Sequence, residues 1–154
     1  MPGMYFEDFE VGDSFTTPRR TVTEADVASF AGLSGDYNPL HTDRVFASET
    51  PFGEPIAHGM LILAMITGLN ARLGINDGTA IAMLGIDEWR FHRPVYFGDT
   101  IYARVTITGK RPTSKPGRGI LNRKFEVFNQ RHELAQDGFI NLMCRRRPEM
   151  ETQP

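Results

Sequence analysis

Ala57-His58-Gly59-Met60-Leu61-Ile62-Leu63-Ala64-Met65-Ile66-Thr67-Gly68-Leu69-Asn70-Ala71-Arg72-Leu73 is the stretch that decides the fold. It is apolar on nearly every side for two turns, and its length fits a helix better than a strand. A helix with no polar face is expected to be buried all round. Its longest apolar run, Met60 to Ile66, is far short of the ~18 residues that span a bilayer. The segment therefore reads as the centre of a soluble fold, and no membrane contact is expected.

Four stretches of strand character follow it, about Thr79 to Pro94, Thr100 to Pro112, Gly119 to Gln130 and Glu133 to Arg146. Gly98-Asp99 marks a turn before the second. Asp137-Gly138 is a strong hairpin signal. Placing the reversal near Asn129 to Glu133 gives both flanking strands useful length, so Asp137-Gly138 becomes a bulge or kink. Ahead of the helix, Ser14 to Val22 reads as a first strand and Thr23-Glu24-Ala25-Asp26 as a helix start. Thr23 can cap, and Glu24 and Asp26 suit the positive end of the dipole. Val27, Phe30 and Ala31 give that short helix a buried stripe, and Gly32 is a plausible stop. One helix without a polar face, followed by a long antiparallel meander, predicts an α+β fold whose sheet wraps the helix.

The chain has 154 residues, which fits one domain over 1–154 with a core at about 5–147. Met1 to Gly3 and Pro148 to Pro154 read as loose tails. The 40% hydrophobic and 23% charged residues argue against a disordered chain. A net charge of -2 argues against a nucleic-acid partner. Cys144 is the only cysteine, which excludes an internal disulfide and a cysteine zinc site. It reads as a small buried hydrophobe. The mixed, acidic N-terminus is unlike a signal peptide, so the expected location is the cytoplasm.

Residues 33–57 hold Gly35, Pro39, Pro51, Gly53 and Pro55, so regular structure is repeatedly interrupted. Irregular segments of this length are often functional. Ser34-Gly35-Asp36-Tyr37-Asn38-Pro39-Leu40-His41 is the densest polar cluster in the chain. In a curled loop Asp36 and His41 can face one small volume, hold a water and exchange a proton with it; a loop of Asx turns with a capping histidine is the plainer reading. His58-Gly59 opens the apolar helix, where free N–H groups suit a carbonyl or oxyanion. By default Thr67 bonds back to a helix carbonyl, and Met60 fills the core or lines an apolar tunnel. Lys110, Arg111, Lys115 and Arg118 crowd the turn between the second and third strands after the helix, among prolines and a glycine that suggest a mobile cationic loop. No P-loop, GxGxxG or HExxH occurs and no cluster has metal-ligand spacing, so no metal is expected.

Ser34 to His41, followed after five residues by Ala47, resembles the hydratase 2 motif of the MaoC-like (R)-specific enoyl-CoA hydratases. Pro55-Ile56-Ala57-His58-Gly59-Met60-Leu61 is similar to their second signature. Phe6-Glu7-Asp8-Phe9-Glu10-Val11-Gly12-Asp13 and Arg93-Pro94-Val95-Tyr96-Phe97-Gly98-Asp99-Thr100 are also similar. The resemblance implies a hotdog fold, a homodimer or larger even-numbered assembly, and reversible hydration of a trans-2-enoyl-CoA to the (3R)-3-hydroxyacyl-CoA. Coenzyme A would be part of the substrate, with no separate cofactor. Asp36 and His41 match the catalytic pair and Gly59 the amide that holds the thioester carbonyl. Asn38 would shape the loop, His58 and Met60 would lie beside the substrate, and Thr67 falls where a relative has a pocket serine. Read from its charge rather than from the resemblance, the loop of Arg111, Lys115 and Arg118 could hold the coenzyme A phosphates at the tunnel mouth; a solvated turn is the plainer reading. A hotdog thioesterase, a dehydratase acting on acyl carrier protein and a non-catalytic acyl-CoA-binding subunit are the competing readings.

Overall fold

The computed structural model describes residues 3–148. A single 3-10 turn, Phe6–Asp8, precedes β1 (Ser14–Thr16), β2 (Arg20–Thr21), α1 (Glu24–Ser34), α2 (Pro39–Thr42), α3 (Arg44–Ser48) and α4 (Gly59–Ala71). Four long strands complete the order, β3 (Ala80–Phe91), β4 (Thr100–Pro112), β5 (Arg118–Phe128) and β6 (Leu134–Arg145). The strands lie in the order β1-β4-β5-β6-β3, with β2 also paired to β4, and every pairing is antiparallel.

The sheet wraps α4, as the apolar segment predicts. Ile62, Ile66 and Leu69 of the helix pack against Ile101, Ala103 and Val105 of β4, Phe125 and Val127 of β5 and Ile140 of β6. Truncating one of these side chains to alanine typically costs about 2–5 kcal/mol. A smaller cluster, Phe6, Phe9, Ile107, Leu121, Leu142 and Cys144, sits where the N-terminal turn crosses the strands. Cys144 is buried there, and burial pushes its thiol pKa up.

Several expectations need correction. The first strand is broken by Thr17-Pro18-Arg19 into β1 and β2, because proline has no N–H for the ladder. Thr17 bridges the break, its N–H donating to the Ala103 carbonyl and its hydroxyl accepting the Ala103 N–H. Thr23 does cap α1, reciprocated by Asp26. The helix runs past Gly32 to Gly35, whose φ of 76° and N–H to the Ala31 carbonyl close it. Residues 33–57 are less irregular than expected, since α2 and α3 lie within them. Gly3 is hydrogen-bonded to the Asp77 carbonyl rather than loose; residues 1–2 and 149–154 lie outside the described residues.

The Asn129–Glu133 reversal is present, with Asn129 N–H bonded to the Glu133 carbonyl. The bulge at Asp137-Gly138 is real, but its extra residue belongs to the neighbouring strand. Asp87 pairs with Phe139 and Arg90 with Asp137, so Glu88 and Trp89 together face Gly138. Glu88 takes a φ of 52° there. A β-carbon on Gly138 would stand 2.8 Å from the Trp89 α-carbon, which is why glycine occupies the site.

α4 is not buried on every side. Met60, Ala64, Thr67, Gly68 and Ala71 form an exposed stripe at helical spacing. β3 lies beside that stripe at both ends, through Phe91 against Gly59 and through Ala71 and Ala80 on one hollow. Its Ile81, Met83, Leu84 and Ile86 are exposed too. The expected apolar sheet edge is therefore present, and the helix shares it.

Candidate active site

Local hydrogen bonds fix the polar segment residue by residue. Gly35 turns the chain out of α1, and the Asp36 carboxylate then accepts the Asn38 N–H at 3.2 Å. Asn38 caps α2, its side-chain oxygen accepting the Leu40 N–H at 3.0 Å with Pro39 in the first turn. Asp43 ends α2 and caps α3 by accepting from Val45 and Phe46. Each cap satisfies N–H groups that a short helix cannot. This ladder of turns sets His41 on α2 facing the strap at Ile56.

The His41 ring is oriented by that strap. Its Nδ1 lies 2.7 Å from the Ile56 carbonyl oxygen. A carbonyl only accepts, so Nδ1 carries the proton and the neutral ring keeps its lone pair on Nε2. The strap is itself fixed, with Ala57 N–H bonded to the Val95 carbonyl and Ile56 N–H to that of Leu40.

His58 holds the other partner. It is buried, and its Nε2 lies 2.9 Å from the Asp36 carbonyl oxygen and 3.9 Å from Asp36 Oδ2. The His41 and His58 rings stack with centroids 3.8 Å apart. Donor atoms of Asp36, His41 and His58 all lie within 4.8 Å of one another. The facing of Asp36 and His41 expected from spacing is thus present in space. The same three residues have the composition of a small metal site, which sequence spacing did not reveal because His58 arrives from a different element. Both imidazoles spend one nitrogen on a backbone carbonyl, and the remaining His58 Nδ1 is buried without a partner.

Gly59 is the first residue of α4, so its N–H is one of the helix's free donors. A β-carbon there would meet Phe91 Cε1 at 2.6 Å, so glycine lets the Phe91 ring lie on the helix start. A cleft of about 400 Å³ opens here, lined by His41, Gly59 and Met60 together with Phe91, His92 and Gln136. The cleft is mostly apolar, with a proton acceptor and an amide donor on its wall. That combination has the chemistry to hold an apolar chain, polarise a carbonyl and move a proton.

Other expected residues lie elsewhere. Thr67 is exposed on the open stripe of α4, and its hydroxyl donates to the Ala64 carbonyl at 2.7 Å. Asn38 shapes the loop, as its capping bond shows. Arg111, Lys115 and Arg118 do not reach the cleft of their own chain. Gly119 pairs with Cys144 and Arg118 with Arg145 at the far end of β6, nine residues or roughly 30 Å along the strand from Gln136. The turn is not loose, since Thr113 binds the Arg118 carbonyl through its N–H and the Lys115 carbonyl through its hydroxyl. Lys110 leaves it to donate to the Phe9 carbonyl.

Sequence reasoning missed Gln136. It is buried, donates to the Gly59 carbonyl at 3.2 Å and accepts from Trp89 Nε1 at 3.0 Å. A polar residue at an inward position of β6 was the available signal. It also missed His92, whose Nε2 lies 2.7 Å from Asp137 Oδ1 at the cleft edge.

The MaoC like domain family matches residues 8–126. Protein MaoC of Klebsiella aerogenes is 45% identical over 114 residues, 74% of this chain, and the match spans only 33% of that protein. The (R)-specific enoyl-CoA hydratase of Aeromonas caviae is 38% identical over 136 residues, 88% of this chain and 95% of that one. Among solved structures, a monoamine oxidase regulatory protein from Archaeoglobus fulgius superposes with TM-score 0.88 at 39% identity, covering 95% of this chain and 97% of that one. A Mycobacterium tuberculosis protein described as having a double hotdog fold superposes with TM-score 0.84 at 26% identity, covering 99% of this chain and 47% of that one.

Proposed function

The chain belongs to the MaoC-like domain family and has the hotdog fold, and from that premise we propose that it adds water reversibly to a trans-2-enoyl-CoA, giving the (3R)-3-hydroxyacyl-CoA. The observation that carries the reading is the His41 ring. Its Nδ1 is committed to the Ile56 carbonyl, which leaves Nε2 as the base, and the ring shares one small cluster with the Asp36 carboxylate.

Water is a weak nucleophile, and the β-carbon of an enoyl thioester is only a modest electrophile. A water that donates one hydrogen to His41 Nε2 and the other to Asp36 turns a lone pair toward the β-carbon. As the C–O bond forms, the alkene electrons move to the α-carbon and on to the thioester oxygen. The Gly59 N–H stabilises that developing enolate, and losing one such donor costs about 3–4 kcal/mol. The proton taken from water passes to the α-carbon, so atoms balance and the reaction is redox-neutral. Both groups act from one face, which supports a single stereoisomer. His58 acts by fixing the Asp36 backbone, and Gln136 by fixing the Gly59 peptide.

The homodimer belongs to the same proposal. A second copy would cover the apolar stripe of α4 and the open edge of β3.

The test is loss of the enoyl-thioester absorbance across a panel of acyl-CoAs, with free thiol measured in parallel. Loss of absorbance without thiol release supports hydration. Thiol release would make the protein a thioesterase, and tight binding without turnover an acyl-CoA-binding subunit.

A further inference from the structure

Arg123 is 5% exposed and is the only lysine or arginine buried among the described residues. It stands on β5 at a core-facing position, in alternation with Leu121, Phe125 and Val127. Its Nε donates to the Ile140 carbonyl at 3.0 Å, and its Nη1 lies 3.5 Å from Asn76 Oδ1. Among the described residues no carboxylate pairs with it. Burial pulls the guanidinium pKa down to about 10. Cys144 nearby does not supply the missing charge, because burial keeps its thiol protonated. A buried cation without a counter-charge is costly, and the Ile140 carbonyl with the Phe125 ring, 5.2 Å from the guanidinium carbon, meets this one without neutralising it.

A cavity of about 210 Å³ lies beside the guanidinium, lined by Asn70, Ala71, Asn76, Asp77, Ala80 and Leu142, at the end of the flank that the proposed second copy would cover. Two of its amides are incomplete, since Asn76 Nδ2 and Asn70 Oδ1 are buried without partners. The two ends of an asparagine amide interchange by rotation, so Asn70 can also offer its NH₂ group. Asp77 is the one carboxylate on the lining. It is exposed at the rim, with Oδ2 turned toward Gly74, 3.4 Å from where a β-carbon there would stand.

We propose that this cavity binds a small carboxylate, with Arg123 as its counter-charge and the Asn76 and Asn70 amides as further donors. The planar guanidinium matches a carboxylate in two parallel hydrogen bonds, which a spherical halide cannot use. The volume is below the ~300–1,000 Å³ of ordinary ligand pockets, so a group of a few carbons fits and a nucleotide does not. The site is distinct from the cleft. Gly59 and Ala71 mark the two ends of α4, about 18 Å apart along its axis. The carboxylate is either a free metabolite-sized acid or the acidic end of a longer ligand.

Thermal unfolding of the full chain tests this, at fixed protein concentration and ionic strength, with sodium acetate replacing sodium chloride. Wild type should gain about 3–6 °C at ten times the dissociation constant, saturably. Asn76→Asp builds a carboxylate into the chain next to Arg123. It should raise Tm without acetate and abolish the acetate response. Arg123→Met should also lose the response, and if that variant does not fold Asn76→Asp decides alone. A wild type indifferent to acetate, or an equal response in Asn76→Asp, would overturn the proposal. The source of the carboxylate follows from KM for two enoyl-CoAs, one ending in methyl and one in carboxylate. A rise of at least about tenfold in Asn76→Asp for the carboxylated substrate alone assigns the site to a substrate terminus. Unchanged KM for both, with the melting response intact in wild type, assigns it to a free acid. The melting arm needs no turnover, so it stands or falls separately from the hydration chemistry.

Discussion

Single residues carry the proposed chemistry, and they differ in how plainly the sequence shows them. Asp36 and His41 are legible because one short loop holds both and Pro39 stiffens the link. Gly59 is legible because it opens a helix of unmistakable composition. The Ile56 carbonyl that sets the His41 tautomer has no mark in the sequence, since every residue has a carbonyl. Gln136 and Arg123 were hidden for another reason. Their roles depend on which strand lies beside which, and alternation along one strand does not encode that. The pair yields the first prediction. Asp36→Ala and His41→Ala should each lower turnover at least about 10²-fold. The double variant should be little worse than either single, because the two act on one water. Steady-state hydration rates check this, and near-wild-type turnover in either single variant would remove the pair from the mechanism.

At the scale of elements, capping governs the site and close backbone approach governs the sheet. α2 and α3 span only Pro39–Thr42 and Arg44–Ser48, too short to persist without the Asn38 and Asp43 caps. In sequence the segment reads as interrupted because prolines and glycines punctuate it. In space Asn38 and Asp43 rebuild one helical turn at a time. The four long strands were legible from alternation and turns. The owner of the bulge was not, because a β-bulge belongs to a pair of strands. Gly138→Ala tests the consequence. The new methyl group meets the Trp89 backbone, which cannot rotate aside, so the variant should lose about 1–3 kcal/mol. Urea unfolding followed through Trp89 fluorescence measures it, and an unchanged midpoint would show that the bulge yields freely.

For the whole molecule, the uncovered flank and the joined chain ends matter most. On the free edge strand β3 Phe91 is 57% exposed and Met83 55%, a hazard for a lone sheet, and Met60 of α4 is 56% exposed. A dimer is therefore expected at micromolar concentration by sedimentation, and a fully active monomer would refute it. The chain ends add a pH dependence. The Arg147 guanidinium and then the Tyr5 N–H hold the Asp8 carboxyl below its usual pKa. A depressed carboxylate stabilises the fold fully above the ordinary aspartate range, and that contribution is lost as pH falls through the lowered value. The seam between the N-terminal turn and residues 146–147 should therefore loosen in acid before the core does. Hydrogen exchange at the Arg147 amide reads this, and Asp8→Asn should loosen the seam already at neutral pH.

Arg146 reaches Glu7 at 2.8 Å, and the Arg147 N–H reaches the same carboxylate at 3.0 Å. Two places 139 residues apart in the chain are thus neighbours in space. The fold is then expected to tolerate a change in the order in which the polypeptide visits its elements. A circular permutant can join residue 148 to residue 3 through a short polar linker and open the chain between Lys115 and Gly117, far from the cleft. Such a chain should fold to the same sheet with its turnover intact, and loss of α4 packing on permutation would show that folding needs the N-terminal turn to be made first.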